Sequence, residues 1–414
     1  MDHAATTPMD ERVWQVMAPY LREHYGNPAT MYGPGRKASE AVERARGQLA
    51  DLLGARPEEI YFTSGGTESD NWAIKGIAHA WEKKGRHLIT TKIEHHAVLE
   101  SCHFLEKRGW EVTVLPVDGD GLVDPEDVRR ALRDDTVLVS VMHANNEIGT
   151  VEPIAEIGRI LRERGVPFHT DAVQTVGKVP VAVDQLNVDL LSLSAHKFYG
   201  PKGVGALYVR RGVRLEPLLH GGGQERGRRA STHNVPGIVG LGAAAELAAG
   251  EMGAEEVELR RLAWLLWEGL RERIEGIRLN GHPEKRLPGN VNVCVQGAEG
   301  EAMLLCLDNN GVCVSSGSAC TTGSLEPSHV LLAIGVSAEV AHGSLRFTLG
   351  KESTVEQVEH VLAVLRDDLA SVRAGMQAGD DWRTEDWRMR EVDPAELERV
   401  LQRSEAALGR LGGP

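Results

Sequence analysis

The stretch IYFTSGGTESDNWAIK, residues 60–75, places a short β-branched and aromatic run directly before two glycines and a helical segment. Such a strand–turn–helix unit is the building block of a parallel sheet covered by helices. Backbone amides at the start of the helix, together with Thr67, would bind a phosphate, and Gly65 and Gly66 would let it approach closely. A tight turn with a purely structural role explains these residues equally well, so the stretch predicts the fold but not a ligand.

Short runs of the same kind recur along the chain and alternate with stretches of helical period. The seven predicted strands are residues 60–63, 87–91, 111–117, 136–142, 166–171, 188–194 and 204–209. The alternation predicts an α/β fold with a seven-stranded, mostly parallel sheet. After a Gly-rich stretch, a long helical segment leads into a smaller α+β region. We therefore predict a large domain at 14–255, a small domain at 1–13 with 256–375, and a C-terminal extension at 376–414.

Composition limits the classes of partner. Hydrophobic residues make up 42% of the 414 residues and charged residues 26%, the balance of a folded globular protein. The formal net charge of -14, without a dense basic run, argues against nucleic acid. No apolar run is long enough to cross a bilayer, so we expect no membrane contact and a cytoplasmic location. The five cysteines are odd in number, which favours thiols over disulfides.

Two predicted strands end in residues that carry chemistry. Asp171 and Gln174 follow one of them, and an aspartate there either pairs with a protonated pyridine nitrogen or merely caps a helix. Ser194, His196 and Lys197 follow the other. A lysine among apolar residues forms a Schiff base with an aldehyde, whereas an ordinary lysine is a solvated surface group. Ser194 and His196 would donate to a phosphate.

His95, Asn146 and Arg346 each have a plain alternative as hydrogen-bonding or ion-pairing residues, although Arg346 would also clamp a carboxylate through two parallel bonds. Cys320 stands apart because residues 314–323 are mostly small, polar and flexible, which is typical of a mobile loop. The remaining cysteines give no such signal. We expect Cys294, Cys306 and Cys313 to be core residues because their neighbours are apolar, and Cys102 has no feature that favours a role.

Five segments together resemble the cysteine desulfurases, which are pyridoxal-phosphate (PLP) enzymes of the aminotransferase-like fold type I. The matching segments are residues 2–8, 63–71, 145–149, 194–197 and the stretch around Cys320. The resemblance spans residues 2–373. It implies conversion of L-cysteine to L-alanine with transfer of sulfur to Cys320 as a persulfide.

The resemblance also implies a role for each site residue. Lys197 holds PLP, Asp171 meets the ring nitrogen, Gln174 meets the ring hydroxyl and His95 stacks on the ring. Phosphate binding falls to Gly66, Thr67, Ser194 and His196, while Asn146 and Arg346 orient the substrate carboxylate, Asn146 also lying against the cofactor. Lys197 and His95 are the candidates for proton transfer. Thr232 corresponds to a threonine that reaches the phosphate from a partner subunit, which implies a homodimer.

The Cys320 stretch resembles the housekeeping branch of the family. That branch implies delivery of sulfur to an iron–sulfur scaffold or another sulfur-acceptor protein, with tRNA thiolation as a second destination. Cys320 is then also the candidate ligand for a transient iron–sulfur cluster during hand-off. In the extension at 376–414, Trp382 and Trp387 favour a docking segment.

Three alternatives stay open at this point. An aminotransferase or a selenocysteine lyase would share the fold, and an aminotransferase has no need for Cys320. A non-catalytic scaffold that uses Cys320 to hold sulfur or iron would have no need for Lys197, Asp171 and His95. The chain also departs from the family pattern because Met1 directly precedes Asp2.

Overall fold

The computed structural model describes residues 1–316 and 327–375. Cys320 lies outside the described residues, and so does the extension at 376–414 with Trp382 and Trp387. The roles expected for these residues therefore stay predictions.

Within the described residues, seven strands form one large sheet. They are β1 (Ile60–Thr63), β2 (His87–Thr91), β3 (Glu111–Leu115), β4 (Thr136–Ser140), β5 (Phe168–Asp171), β6 (Leu190–Ser194) and β7 (Gly205–Val209). Their order across the sheet is β1-β7-β6-β5-β4-β2-β3. Only β7 runs antiparallel to its neighbours β1 and β6; the other pairs are parallel. This confirms the predicted α/β fold.

The predicted strands were accurate in position, and several were too long. β1 and β2 match their predictions to the residue, whereas β5 and β6 each begin two residues later than predicted. The extra residues, such as Val166 and Val188, are apolar and buried without belonging to the strand. An apolar run therefore indicates which residues are buried. The buried segment extends beyond the residues whose backbones pair in the sheet.

Helices cover both faces of this sheet. The helices up to the end of the sheet region are α1 (Glu11–Arg22), α2 (Gly33–Leu53), α3 (Gly66–Trp81), α4 (His96–Glu106), α5 (Pro125–Ala131), α6 (Ile154–Arg164), α7 (Val183–Leu186), α8 (Gln224–Gly227) and α9 (Val235–Arg273). Neighbouring residues Leu190 and Leu191 of β6 belong to different hydrophobic cores, as alternation along a strand requires. Among the helices of residues 1–316 and 327–375, α9 included, none offers the apolar length that a bilayer demands.

A second, smaller sheet follows. It contains β8 (Ile277–Leu279), β9 (Asn290–Val295) and β10 (Ser344–Thr348), antiparallel in the order β10-β9-β8, with α10 (Gly300–Asn309), α11 (His329–Ala333), α12 (Ala338–Ala341) and α13 (Val355–Gly375) nearby. Leu266 of α9, Phe347 of β10 and Leu362 of α13 share its core. The helix α9 begins in the core of the large sheet, where Leu241 is buried, and ends in this one. The predicted domain boundary at 255/256 falls within α9, and the division into domains stays a prediction.

Residues 1–7, which we call the N-terminal strap, connect the two sheets. The backbone of Thr348 donates to the Met1 carbonyl at 2.9 Å and accepts from His3 N at 3.1 Å, so the strap starts along the edge of β10. It ends at the large sheet, where Thr7 N donates to the carbonyl of His196 at 2.9 Å. The strap therefore passes the residues that follow β6.

Candidate active site

A cavity of about 310 Å³ opens where β1, β4, β5 and β6 end. Ligands of parallel sheets bind at this edge, because loops and helix N-termini meet there. Ten of the predicted site residues line it: Gly66, Thr67, His95, Asn146, Asp171, Gln174, Ser194, His196, Lys197 and Arg346. The structure thus brings together residues spread over 281 positions of the chain, from 66 to 346.

Two predicted site residues are not part of this lining. Thr232 is exposed in the segment before α9 and does not line the cavity. Its expected contact was with the site of a partner subunit, so that role stays a prediction. Cys320 lies beyond the described residues, and its distance from the cavity stays open.

The start of α3 forms one wall of the cavity. Gly65 precedes the helix with φ +153, a backbone conformation that side chains rarely adopt. A Cβ on Gly66 would lie 2.6 Å from Val173 Cγ2, so only glycine fits against the turn after β5. The first amides of this 16-residue helix lie beside Thr67 and Ser194, which suits a phosphate group.

Asp171 is the last residue of β5, and its carboxylate is buried. Its Oδ1 accepts from Val173 N at 2.9 Å. Burial raises the pKa of Asp171, while His95 and Lys197 act in the opposite direction. A cationic ring nitrogen placed against this carboxylate would remove the cost of its burial.

Asp70, which sequence reasoning missed, lies behind Asp171. It is 1% exposed, its Oδ1 lies 3.6 Å from His169 Nε2, and burial followed by the charge of Asp171 raises its pKa well above the usual range. Donor atoms of Asp70, His95 and Asp171 lie within 4.8 Å of one another. That spacing would suit a metal ion, but the raised pKa of Asp70 works against the ligand charge that a metal ion needs and favours an organic cation. The available signal was its spacing of four residues from Gly66 on one helix.

Lys197 lies in the 3₁₀ turn Ala195–Lys197 directly after β6. Its Nζ donates to the carbonyl oxygens of Ala4 and Ala5 in the strap at 2.6 Å and 2.8 Å. The strap therefore fixes the position of the amine that the sequence predicts to bind an aldehyde.

His95 is the N-cap of α4. Its Nδ1 accepts from Ala97 N at 3.1 Å, which leaves the proton of the neutral ring on Nε2. Burial lowers the pKa of His95, so the ring is neutral at pH 7. A neutral imidazole can stack on an aromatic ring and exchange a proton through Nε2.

Arg346 on β10 supplies a buried guanidinium. Nη2 donates to Asp2 Oδ1 at 2.9 Å and Nη1 donates to the Asn146 carbonyl at 3.0 Å. Its Nε is buried and has no hydrogen-bond partner among the described residues. The group is thus oriented by the strap and retains donors for a substrate carboxylate.

The expectation for the cysteines was partly wrong. Cys294 and Cys102 are buried, and burial raises the pKa of their thiols to about 11 and about 12. Cys306 is only partly buried and Cys313 is exposed. Val312 and Val314 are buried on either side of Cys313, so the extended chain alternates there and turns the cysteine outward.

A larger cleft of about 860 Å³ lies elsewhere, lined in part by Asp118, Asp124, Glu152 and Arg286. Its charged groups face like charges: burial, Glu94 and Asp118 raise the pKa of Glu152, and burial and Arg260 lower that of Arg286. The smaller cavity is the better candidate because its donors, acids and amine meet at one place.

Comparison with known proteins gives a consistent result. The aminotransferase class-V family model matches residues 1–361. The cysteine desulfurase IscS of Dictyoglomus turgidum is 54% identical over 92% of this chain and 97% of its own length. A solved NifS-like protein superposes with a TM-score of 0.85 at 41% identity, covering 89% of this chain and 98% of that one. SspA, solved in complex with cysteine, gives a TM-score of 0.76 at 40% identity over 85% of this chain and 99% of its own.

Proposed function

The chain belongs to the class-V aminotransferases and, within them, to the cysteine desulfurases, and from this membership we propose that it converts L-cysteine to L-alanine and transfers the sulfur to Cys320 as a persulfide. The enzyme is PLP-dependent, as its family is. The observation that carries the proposal is the convergence of Lys197, Asp171 and Arg346 on one cavity. An aldehyde-binding amine, an acid for a ring nitrogen and a carboxylate clamp are what such a reaction needs.

The residues present fit the cofactor. The buried Asp171 carboxylate lacks a basic side chain that donates to it among the described residues, which suits a pyridine nitrogen. The amides at the start of α3 offer donors to a phosphate beside Thr67, Ser194 and His196. When bound, PLP supplies an electron sink for the bonds at the substrate Cα.

The chain's own residues then perform binding and proton transfer. Arg346 and Asn146 hold the substrate carboxylate, and Lys197, once released from the cofactor, keeps its Nζ at the strap carbonyls and accepts the Cα proton. His95 exchanges a proton through Nε2. The Cys320 thiolate attacks the substrate sulfur, so a sulfur–sulfur bond forms while the Cβ–sulfur bond breaks and its electron pair stays with carbon. Protonation of Cβ and return of the proton from Lys197 to Cα complete alanine.

We further propose that the Cys320 persulfide is handed to an iron–sulfur scaffold or another sulfur-acceptor protein, with a transient iron–sulfur cluster held through Cys320. Cys320 is favoured because the buried thiols of Cys102 and Cys294 are protonated at neutral pH. Cytoplasmic location, which composition favours, belongs to the same proposal.

A homodimer is part of this proposal. Tyr25, Met31 and Tyr32 are 80%, 91% and 59% exposed, which is unusual for large apolar side chains. Thr232 is exposed as well. Mixed dimers of Thr232→Ala and Lys197→Ala chains contain one site with both residues intact, so activity should appear on mixing and subunit exchange; no gain would exclude a contribution across subunits.

The direct test incubates purified protein with PLP and cysteine and measures alanine, keto acid and protein-bound persulfide. We expect alanine without keto acid in the parent, no alanine with Lys197→Ala, and no persulfide at that position with Cys320→Ser. Cys313→Ser and Lys202→Ala are the matched controls, since both residues are exposed. A keto acid product would instead indicate an aminotransferase.

A further inference from the structure

Lys178 has no role in the proposed chemistry, yet its amine belongs to the hydrogen-bond network of the site. It lies in the turn after β5, four residues beyond Gln174, and its Nζ donates to Gln174 Oε1 at 3.0 Å. Burial and the charge of Lys197 lower the pKa of Lys178 to about 7, and Arg346 lowers it too, while Glu255 raises it. Placing this amine next to two other cations is costly, so its contact with Gln174 needs an explanation.

The amide of Gln174 is oriented from both sides. Nε2 donates to the carbonyl of Ala4 at 2.9 Å, and a carbonyl can only accept. Oε1 faces Lys178, which donates to it. The second N–H of the amide has no acceptor among residues 1–316 and 327–375, and Gln174 lines the cavity.

The same carbonyl connects the two lysines. Ala4 O also accepts from Lys197 Nζ at 2.6 Å. A continuous set of hydrogen bonds therefore runs from Lys178 through Gln174 and Ala4 to Lys197. The other charged or titratable groups that act on this region are Glu255 on α9, Arg346 on β10, His3 in the strap and His196 after β6.

We propose that Lys178 is a positioning residue whose donation to Gln174 Oε1 keeps the amide N–H of Gln174 toward the PLP ring hydroxyl. The inference rests on the proposed function, because the ring hydroxyl enters only with the cofactor. A donor to that hydroxyl stabilises its anion, and this disfavours protonation of the nitrogen that joins Lys197 to the cofactor.

The test titrates the absorbance of the PLP-loaded protein from neutral to alkaline pH. Lys178→Met should raise the apparent pKa of the cofactor nitrogen by about one unit, whereas Lys178→Arg, which keeps a donor to Gln174, should stay near the parent. A purely structural role would lower the melting temperature without moving this pKa. An unchanged pKa in Lys178→Met overturns the inference.

A second variant keeps the test possible if Lys178→Met no longer binds the cofactor. Lys178→Gln keeps an N–H but on a shorter side chain, which weakens the contact with Gln174, so we expect a smaller upward shift, and no shift would contradict the inference. A parent protein without PLP absorbance would refute the proposed function instead, which separates the two failures.

Discussion

The acidic cluster (Asp70, Glu94 and Asp171) reaches the cavity through Asp70 and Asp171, and the N-terminal strap reaches it through Ala4 and Ala5. The two regions act by different physical means. Burial raises the pKa of all three acids, that of Glu94 to about 8, so the cluster acts through the protonation of its own carboxyl groups. The strap instead offers the carbonyls of Ala4 and Ala5 and the carboxylate of Asp2, which orient donors. Damage to the cluster should therefore change kcat or pH dependence, and damage to the strap should change substrate affinity.

The largest expected effect is in the cluster. Asp171→Asn removes the charge that we propose pairs with the ring nitrogen, and alanine formation should fall in kcat by about 100-fold or more. Asp70→Asn is the matched control: burial followed by the charge of Asp171 raises the pKa of Asp70 and so disfavours its charge, and this variant should stay within a few-fold of the parent. Steady-state kinetics with cysteine decide the matter; near-parent turnover in Asp171→Asn would contradict the assignment.

The strap should give a different kinetic pattern. Asp2→Ala removes the partner of Arg346 Nη2, so the carboxylate clamp loses orientation and KM for cysteine should rise about tenfold with little change in kcat. Asp2→Asn keeps an acceptor oxygen and should fall between the parent and Asp2→Ala. A drop in kcat at unchanged KM would show that the strap does not act through Arg346.

The pH dependence of activity tests the role of His95 independently of the acidic cluster and the strap. Because burial lowers the pKa of His95 below its ordinary value of 6.5, the ring is neutral at pH 7, and loss of activity by its protonation should occur only below pH 6.5. His95→Gln should lose this acid limb at a reduced overall rate. An acid limb above pH 6.5 that disappears in His95→Gln would contradict the expected direction.

The smallest effect concerns stability. The pKa of Glu94 is raised in the folded protein from 4.5 to about 8, so the folded state binds the extra proton, and the free energy of unfolding should decrease by up to about 1.4 kcal/mol per pH unit as pH rises from 4.5 toward 8. Glu94→Gln keeps the acceptor for Thr91 and Met142 and should flatten this slope in melting temperatures. The exposed Glu301→Gln should leave the slope unchanged; a parental slope in Glu94→Gln would refute the assignment.

The sequence predicted the sheet and the cavity lining well because both depend on local pattern. The β-branched run at Ile60–Thr63 marks a strand by itself, and the family motifs name Lys197 and Asp171 directly. Asp70 and Lys178 escaped prediction because their meaning comes from partners on other elements. Asp70 contacts β5, and Lys178 is connected to the strap through Gln174. Both sets of contacts form only after folding.

The contacts of the strap could not be predicted because they join residues that are far apart in the sequence. The bond from Lys197 to Ala4 joins residues 193 positions apart, and that from Arg346 to Asp2 joins residues 344 apart. The error at Cys313 has a different origin, since apolar neighbours in an extended segment point to the face opposite the residue between them.

The central claim is that the cavity holds PLP on Lys197. Borohydride reduction of the PLP-loaded protein, followed by peptide mass spectrometry, locates the cofactor directly, and the nearby Lys178 provides an internal comparison. We predict that the phosphopyridoxyl group is found on Lys197. A label on Lys178, or no labelled lysine at all, would contradict the account.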